Sequence, residues 1–382
     1  MKVIFQKDAI CSAVLPLMSG VSTKNAIPAV EGILIEANAD GSCVLTTYDL
    51  EKGVRVVVEA SVIDPGSYII NASKFSQTVR VMDGDTITLT VDSKNCATIM
   101  SGKSSHTMSA LSGADFPEVP KLNSNQGFVV SGKTLRGMMA KCMFAMAVKD
   151  QRAILNGMYF TIDKDEMTLV SCDTFKIAVC STHTDIQNLD DTKTDAYKFI
   201  VPNKSVSEIY KLLSGREEET SLYVTKKSIV VSMGDVTFFS KLIEGEYLDY
   251  NRVIIRNHRI FVTVDRDELL SALERASLIT EEKSASSHVK LTTAVDMLQI
   301  SANSGAGSAY DEITALHEGE DIVIAFNNRY LMDSLRACTA EKVKLSLSGP
   351  RSSMNIEPAD PETEDNAGDS ELFMILPVRM KD

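Results

Sequence analysis

The apolar positions of the chain follow a helical period in three widely separated segments. Apolar residues recur there at i, i+3, i+4 and i+7, the spacing that gathers side chains on one face of an α-helix. The positions are Ile10, Ala13, Val14 and Leu17 in the first segment; Leu135, Met138, Met139, Cys142, Met143 and Met146 in the second; and Leu269, Leu270, Leu273 and Ala276 in the third. Each segment is predicted to be an amphipathic helix. Pro16 is expected to bend the first helix or end it early, because proline lacks the N–H donor.

Strand patterns follow each of these predicted helices. A first strand is predicted at residues 32–36, 157–161 and 289–292, and a strand pair at 45–52, 169–176 and 298–305. A second helix is predicted near residues 73–82, 204–213 and 329–338, in each case just after an asparagine. Alternating apolar and polar residues at 86–91 and 342–347 then predict further strands.

The same order of elements occurs three times, which predicts an internal threefold repeat. The 382 residues also exceed the size at which a single hydrophobic core stops growing, about 250–300 residues. We therefore expect an α+β fold of three similar domains, each with two helices packed on mostly antiparallel sheets. The predicted domains are residues 1–120, 126–250 and 256–382, with linkers near 117–125 and 249–259.

The composition, 44% hydrophobic and 24% charged residues, is typical of a globular protein. No apolar run reaches the roughly 18 residues that a membrane-spanning helix needs. The N-terminal residues soon become polar and lack the apolar segment of a signal peptide. A cytoplasmic location is therefore expected.

The seven cysteines and five histidines are dispersed along the chain. No Cys-x-x-Cys pair occurs, and the histidines show no metal-ligand spacing. The odd number of cysteines and their apolar surroundings favour reduced thiols packed as small hydrophobes. We therefore expect neither a metal nor a cofactor.

The formal net charge of −13 argues, taken alone, against a conventional DNA-binding domain. Cations nevertheless recur on the polar sides of four predicted helices: Lys74 and Arg80; Lys133, Arg136 and Lys141; Lys204 and Lys211; and Arg329 and Arg336. On any one helix this bias is typical of an ordinary solvated face. Its repetition in a threefold frame predicts a shared basic surface for non-specific phosphate contact. The first helix of the third copy differs, because Asp267 and Glu274 lie on its polar side.

No pattern of catalytic residues accompanies these cations. Residues 303–307 contain glycine but lack the Lys-Ser/Thr pair and the strand–helix context of a phosphate-binding loop. Neither Gly-x-Ser-x-Gly nor His-Glu-x-x-His occurs. Tryptophan is absent, which disfavours binding of single strands by base stacking. The alternative to binding duplex DNA is a protein-binding scaffold with the same repeats and no DNA.

Seven short segments, in order along the whole chain, resemble one family: the bacterial DNA sliding clamps, which are the beta subunits of DNA polymerase III. The segments are residues 24–28, 48–51, 113–117, 155–158, 240–245, 328–331 and 376–380. The resemblance implies a non-catalytic ring in which two chains of three clamp domains close head to tail around duplex DNA. It implies a processivity factor that binds DNA without sequence specificity. Its other implied partners are the replicative polymerase, the clamp loader and repair proteins, which would bind through short peptides.

The resemblance also implies site residues. Lys24, Lys149 and Arg152 match positions that contact duplex DNA in the family. Homodimer closure is implied at Lys103, His106, Met108, Leu278 and Ile279, with His106 at a position where the family often has a larger aromatic residue. The implied peptide pocket, between the second and third domains, comprises Leu155, Cys172, Thr174, Phe175, Lys176, Ile177, Leu248, Arg252, Val253, Ser353, Leu376, Pro377 and Val378. A buried last strand would explain residues 376–378 equally well.

This implied pocket departs from the family pattern in one four-residue segment and at one further residue. Residues 174–177 read Thr-Phe-Lys-Ile instead of the common Gly-His-Arg-Leu, and Leu248 replaces a frequent proline. We therefore expect a changed pocket shape and a changed peptide preference.

Overall fold

The structure, a computed structural model, describes residues 1–22, 27–120, 126–189, 196–216, 219–280, 288–359 and 369–379. The chain divides into two compact units. The first unit comprises Met1–Lys133, Ile186–Thr194 and Glu208–Leu242; the second comprises Thr134–Asp185, Asp195–Ser207 and Ile243–Asp382. In the described part of the chain, no helix has the length and apolar character needed to cross a membrane.

The first copy of the repeat runs strand, helix, four strands, helix, three strands. Its elements are β1 (Lys2–Gln6), α1 (Lys7–Leu17), β2 (Gly32–Ala37), β3 (Ser42–Tyr48), β4 (Lys52–Asp64), β5 (Gly66–Asn71), α2 (Ala72–Val81), β6 (Thr86–Val91), β7 (Cys96–Ser101) and β8 (Ser104–Ser112). The buried face of α1 consists of the four apolar residues from which the helix was predicted.

The second copy repeats this order with one extra short strand, β13. Its elements are β9 (Gly127–Ser131), α3 (Gly132–Cys142), β10 (Gly157–Asp163), β11 (Glu166–Cys172), β12 (Lys176–His183), β13 (Gln187–Asn188), β14 (Ala196–Pro202), α4 (Asn203–Leu212), β15 (Glu219–Val224), β16 (Ser228–Met233) and β17 (Val236–Lys241). A short helix, α5 (Tyr250–Val253), precedes the third copy. Helices α1 and α3 both have 11 residues, so Pro16, the second-last residue of α1, does not end that helix early.

The third copy returns to the order of the first. Its elements are β18 (Ile260–Asp265), α6 (Arg266–Ser277), β19 (His288–Ala294), β20 (Met297–Ser304), β21 (Gly307–Glu318), β22 (Val323–Asn327), α7 (Asn328–Ala337), β23 (Lys342–Leu347), β24 (Met354–Pro358) and β25 (Ser370–Ile375). The prediction of three similar domains with two helices and antiparallel strands is confirmed.

Asparagine side chains fix where two of the helices begin. The Asn71 side chain accepts a hydrogen bond from the N–H of Lys74 at 3.0 Å. The Asn327 side chain accepts from the N–H groups of Arg329 and Tyr330, at 3.0 and 3.3 Å. Such caps satisfy N–H groups that have no partner within the first helical turn. Helices α2 and α7 consequently begin directly after these asparagines, one residue earlier than predicted.

Each unit contains one antiparallel sheet. The strand order is β1-β6-β7-β8-β5-β2-β3-β4-β17-β16-β15-β9-β13 in the first unit, with β1 also paired to β4. In the second unit it is β14-β10-β11-β12-β25-β24-β23-β18-β21-β20-β19-β22. Both sheets therefore contain strands from two successive copies of the repeat.

Successive copies are joined by the same kind of strand pairing in both units. In the first unit β4 pairs with β17, the last strand of the second copy, and Val56 lies opposite Val236. In the second unit β12 pairs with β25, the last strand of the third copy, and Cys180 lies opposite Glu371. In both units, therefore, the strand that directly follows β3 or β11 in the chain pairs with the last strand of the next copy.

The cysteines form no disulfide between these elements. All seven are free; Cys11 and Cys96 are half-buried and the other five are buried. Burial raises the pKa of the Cys172 thiol to about 12, so this thiol stays protonated near neutral pH. Among the described residues, no group of three or more His, Cys, Asp or Glu side chains could hold a metal ion.

Candidate functional site

Several residues of the implied peptide pocket meet in one apolar cluster of the second unit. Leu155, Cys172 and Ile177 are buried in this cluster, and Leu248 packs against it. They come from the turn before β10, from the β11–β12 hairpin and from the segment before α5. The fold therefore brings together side chains that are far apart in the sequence, as the resemblance implies.

An aromatic pair stands at the edge of this cluster. Phe175 is 53% exposed, and its ring lies 6.2 Å from that of Tyr330 with an interplanar angle of 27°. The Lys176 ammonium group lies 4.3 Å from the centre of the Tyr330 ring and also pairs with Asp173. Tyr330 was not among the predicted pocket residues. The signal that could have found it is its place in the family-like segment 328–331.

The ends of three paired strands, β12, β25 and β24, lie beside the aromatic pair. The first residue of β12, Lys176, lies opposite the last residue of β25, Ile375, which lies opposite the first residue of β24. The Leu376 N–H donates to the carbonyl oxygen of Phe175 at 2.9 Å. Ser353, just before β24, is buried, and its hydroxyl has no hydrogen-bond partner within the described part of the chain.

The residues after β25 are only partly covered. Leu376 is 41% exposed, and Pro377 and Val378 are half-buried. The Val378 N–H donates to the carbonyl oxygen of Ala325 at 2.8 Å, which fixes the segment next to β22. A buried last strand therefore describes β25, whereas Leu376 directly after it is exposed.

The charged groups of this region are mostly paired. Arg152 donates two hydrogen bonds to the Asp150 carboxylate, at 3.0 and 3.1 Å, and a third to the Thr174 hydroxyl at 3.1 Å. The hydrogen bonds from Arg152 lower the pKa of Asp150 to about 2. Arg252, on α5, pairs with Asp249 at 2.9 Å, and its neighbour Val253 is 47% exposed. The arrangement is a buried apolar cluster beside exposed apolar side chains and paired charges, which suits an extended peptide with aliphatic or aromatic anchors.

The predicted helix cations of the first unit are exposed. Lys74 and Arg80 lie on α2 and Lys133 lies near the start of α3, all three on the surface. Lys211, on α4, is also exposed but pairs with Glu208 at 3.3 Å. A surface pair of this kind is weak and leaves the cation accessible to a phosphate.

The cations of the second unit are less uniform. Lys149 and Lys204 are exposed, and Arg136 is half-buried. Arg329 pairs with Asp333 at 3.7 Å, and Arg336 pairs with Glu274 at 2.9 Å. Lys24 lies outside the described residues.

Lys141 has a partner that the helical pattern did not reveal. Its ammonium group lies 2.5 Å from the Glu371 carboxylate, and the two side chains are 21% and 9% exposed. Burial alone would lower the pKa of Lys141, but the hydrogen bond and charge of Glu371 outweigh it and raise the pKa. Lys141 thus joins α3 to β25 and, like Arg136, is only partly accessible.

Two strands, β21 and β8, have one edge that pairs with no strand of the described chain. The equivalent strands of the other copies pair with a neighbour at that edge. Residues 307–314 of β21 pair with β20 on one side and with no other strand of the described chain. Residues 104–109 of β8 pair only with β7. The implied interface residues lie at these edges: Lys103 and His106 are exposed, Met108 and Ile279 are half-buried, and Leu278 is 83% exposed.

Comparison with known proteins gives a consistent result for the entire chain. Three family models match: DNA polymerase III beta subunit, N-terminal domain, at residues 1–120; the central domain at 129–249; and the C-terminal domain at 251–367. The beta sliding clamp of Bacillus subtilis (strain 168) is 27% identical over 391 residues, which cover 99% of this chain and 100% of the relative. The beta sliding clamp of Staphylococcus aureus (strain N315) is 25% identical over 389 residues and 99% of both chains.

Solved structures are similar over the same length. The crystal structure of DNA polymerase sliding clamp from Bacillus subtilis has a TM-score of 0.92 at 26% identity, with all of both chains covered. The DNA polymerase III subunit beta from Pseudomonas aeruginosa has a TM-score of 0.90 at 27% identity, again with all of both chains covered.

Proposed function

Because this chain belongs to the family of DNA polymerase III beta subunits, the sliding clamps, we propose that two copies of it close head to tail around duplex DNA. The ring is a non-catalytic processivity factor. It holds the replicative polymerase on DNA of any sequence, in the cytoplasm. In this proposal each chain has three clamp domains, at residues 1–120, 126–250 and 256–382.

The strand junctions of the repeat are the observation that carries the proposal. The third copy offers β21 at the position where the other copies use β4 and β12, and the first copy offers β8 where the others use β17 and β25. In the described part of the chain, β21 and β8 are therefore the two strands that lack this junction partner. Joining β21 of one chain to β8 of another removes both open edges, which are otherwise prone to wrong pairing. Two such junctions related by a twofold axis close a ring.

The register of the existing junctions specifies the contacts of the new one. Applied to β21 and β8, the β4–β17 register puts Gly307 opposite Met108 and Ala309 opposite His106 of the second chain. The Val57 N–H donates to the carbonyl oxygen of Asp235. The equivalent positions in the proposed junction are Glu312 and Lys103. The closing contact thus includes a pair of opposite charges.

Ring closure is tested by the solution mass of charge-reversed chains. Wild-type protein is expected at twice the 41.7 kDa of one chain, about 83 kDa, by light scattering after size exclusion. Lys103→Glu and Glu312→Lys each place like charges together and should shift the mass toward 41.7 kDa on dilution. An equimolar mixture of the two variants should recover the dimer, because both junctions of the mixed dimer then carry a pair of opposite charges.

A matched control separates this contact from a general charge effect. Lys226→Glu changes an exposed lysine in the β15–β16 turn, away from both open edges, and should leave the dimer unchanged. A wild-type chain that is monomeric at every concentration would contradict the proposed closure. Equal loss of dimer in Lys226→Glu would contradict the proposed register.

The basic helices supply the contact with DNA in this proposal. Lys74, Arg80, Lys133 and Lys204 are exposed, and the phosphate backbone requires only exposed cations without base-reading groups. The proposed DNA-contacting set also includes Lys24, Lys149, Arg152, Lys211, Arg329 and Arg336. Arg136 and Lys141 belong to the set as well but are half-buried. A closed ring does not need tight binding, so weak contacts are compatible with sliding.

We propose that partners dock at this apolar cluster of the second unit through short peptides. The replicative polymerase, the clamp loader and repair proteins are the expected partners. Leu155, Cys172, Ile177 and Leu248 offer an apolar base, and the exposed Phe175 and Leu376 offer the upper walls. The rim of the proposed docking site consists of Thr174, Lys176, Arg252, Val253, Ser353, Pro377 and Val378.

Peptide affinity tests this docking site. A fluorescent peptide from the C-terminus of the cognate polymerase should lose about tenfold in affinity on Phe175→Ala or Leu376→Ala, because an apolar anchor contributes about 1–3 kcal/mol. The matched control is Leu316→Ala, which shortens a side chain that is 60% exposed elsewhere in the second unit. Undiminished binding to the first two variants would place the docking site elsewhere.

A further inference from the structure

The first unit contains a cavity whose apolar walls have no part in the proposed function. Its volume is about 720 Å³, within the range of small-molecule sites, about 300–1,000 Å³. It lies between α1, β4, α4 and the start of β17. Much of its wall is apolar: Ala9, Ala13, Leu15, Pro16, Val57, Leu212 and Val236. Leu15 and Val57 are 63% and 51% exposed, so the cavity opens to solvent beside apolar side chains.

The internal repeat explains why space is left at this place. In the second unit the equivalent place is occupied by the ion pair of Lys141 with Glu371. Helices α1 and α3 have equal length, so Pro16 stands where α3 has Lys141. The strand registers likewise put Val236 where β25 has Glu371. Two long charged side chains are therefore replaced by two compact apolar ones.

Charges at the rim favour a cationic occupant. Glu208 is paired with Lys211 at 3.3 Å, and Asp235 with Arg216 at 3.5 Å. Arg216 also donates to the carbonyl oxygen of Met233 at 2.7 Å. Glu59 is exposed and forms no ion pair within the described part of the chain. The rim carries three carboxylates, Glu59, Glu208 and Asp235, against two cations, Lys211 and Arg216, so its net charge is negative.

We propose that this cavity binds a small amphipathic cation, with one ammonium group on an aliphatic body. The aliphatic body contacts the alanine, valine, leucine and proline side chains, where its removal from water is favourable. The ammonium group pairs with Glu59. An aliphatic anion of the same size would meet the net negative charge of the rim and should bind more weakly.

Three probes of equal length separate the apolar and charged contributions: n-hexylamine, n-hexanol and hexanoate. Binding to the full chain is followed by saturation-transfer NMR and by titration of the valine methyl signals. Hexylamine should bind most tightly, hexanol more weakly and hexanoate not measurably. Glu59→Gln should reduce the affinity for hexylamine about tenfold, because a charge-assisted hydrogen bond is lost, and leave hexanol unchanged. Glu318→Gln, an exposed carboxylate of the second unit, is the matched control.

Filling the cavity tests its location. Pro16→Lys with Val236→Glu restores the pair found in the second unit and should abolish binding of both hexylamine and hexanol. Val57→Phe fills the same space from an exposed strand position and serves if the double variant does not fold. The inference is overturned if hexanoate binds as tightly as hexylamine, if Glu59→Gln leaves hexylamine binding unchanged, or if the filled variants still bind the probes.

Discussion

At the scale of single residues, the charged groups around the proposed peptide pocket are neutralised locally. Asp150 pairs with Arg152, Asp173 with Lys176, and Asp249 with Arg252. Such pairs contribute little to stability when exposed, but they fix the orientation of the arginine and lysine groups. Their short sequence separation makes them visible in the sequence. The pair of Lys141 with Glu371 is not visible there, because the β12–β25 pairing alone brings its two members together.

The Asp150–Arg152 pair gives a prediction about pH. The pKa of Asp150 is lowered to about 2 by hydrogen bonds from Arg152, against about 3.9 for an unperturbed aspartate. Because the folded pKa is the lower one, the stabilisation is fully present above about pH 4 and is lost as the pH falls through about 2. Arg152→Ala should return the pKa of Asp150 toward about 3.9. Carboxyl-detected NMR titration measures this shift.

The control for this titration is Arg252→Ala, which removes a different exposed arginine paired with Asp249. It should leave the pKa of Asp150 where it is. A wild-type Asp150 that titrates near about 3.9 would show that Arg152 does not hold its carboxylate.

At the scale of elements, the second helix of each copy, predicted near residues 73–82, 204–213 and 329–338, lies within one residue of α2, α4 and α7. The apolar pattern of the first helix in the second copy runs on to Met146, whereas α3 ends at Cys142. The two helices capped by asparagine begin where those side chains accept hydrogen bonds, which the pattern of apolar residues could not specify. The proposed closing edges are harder to predict. β8 alternates few apolar residues with serine, threonine and histidine, so its sequence does not show which edge lacks a partner.

The cap of α7 yields a stability prediction. Asn327→Ala removes an acceptor used by two N–H groups and should destabilise the second unit by about 1 kcal/mol. Urea unfolding and hydrogen exchange of the Arg329 and Tyr330 amides measure the effect. Asn303→Ala, at an exposed strand position, is the matched control and should change neither quantity. Unchanged exchange at Arg329 and Tyr330 would mean that the cap does not stabilise the helix.

At the scale of the whole molecule, the threefold order of elements was predictable because its two periodicities recur along the chain. The peptide pocket was not predictable from periodicity. Leu155, Ile177 and Leu248 meet only through strand pairing and packing, so a resemblance to a family was needed to group them. Tyr330 was missed even so, because its contact with Phe175 depends on how α7 faces the β12 hairpin.

The central claim is that retention on DNA depends on a closed ring. The most direct measurement loads the protein onto a nicked circular duplex with its cognate clamp loader and ATP, and then isolates the complex at high salt. Salt weakens phosphate contacts but not a topological link. The account predicts that the protein stays on the circle and leaves after a single cut linearises the DNA. Equal loss from circular and linear DNA would contradict the ring, and no association with either would favour a protein-binding scaffold.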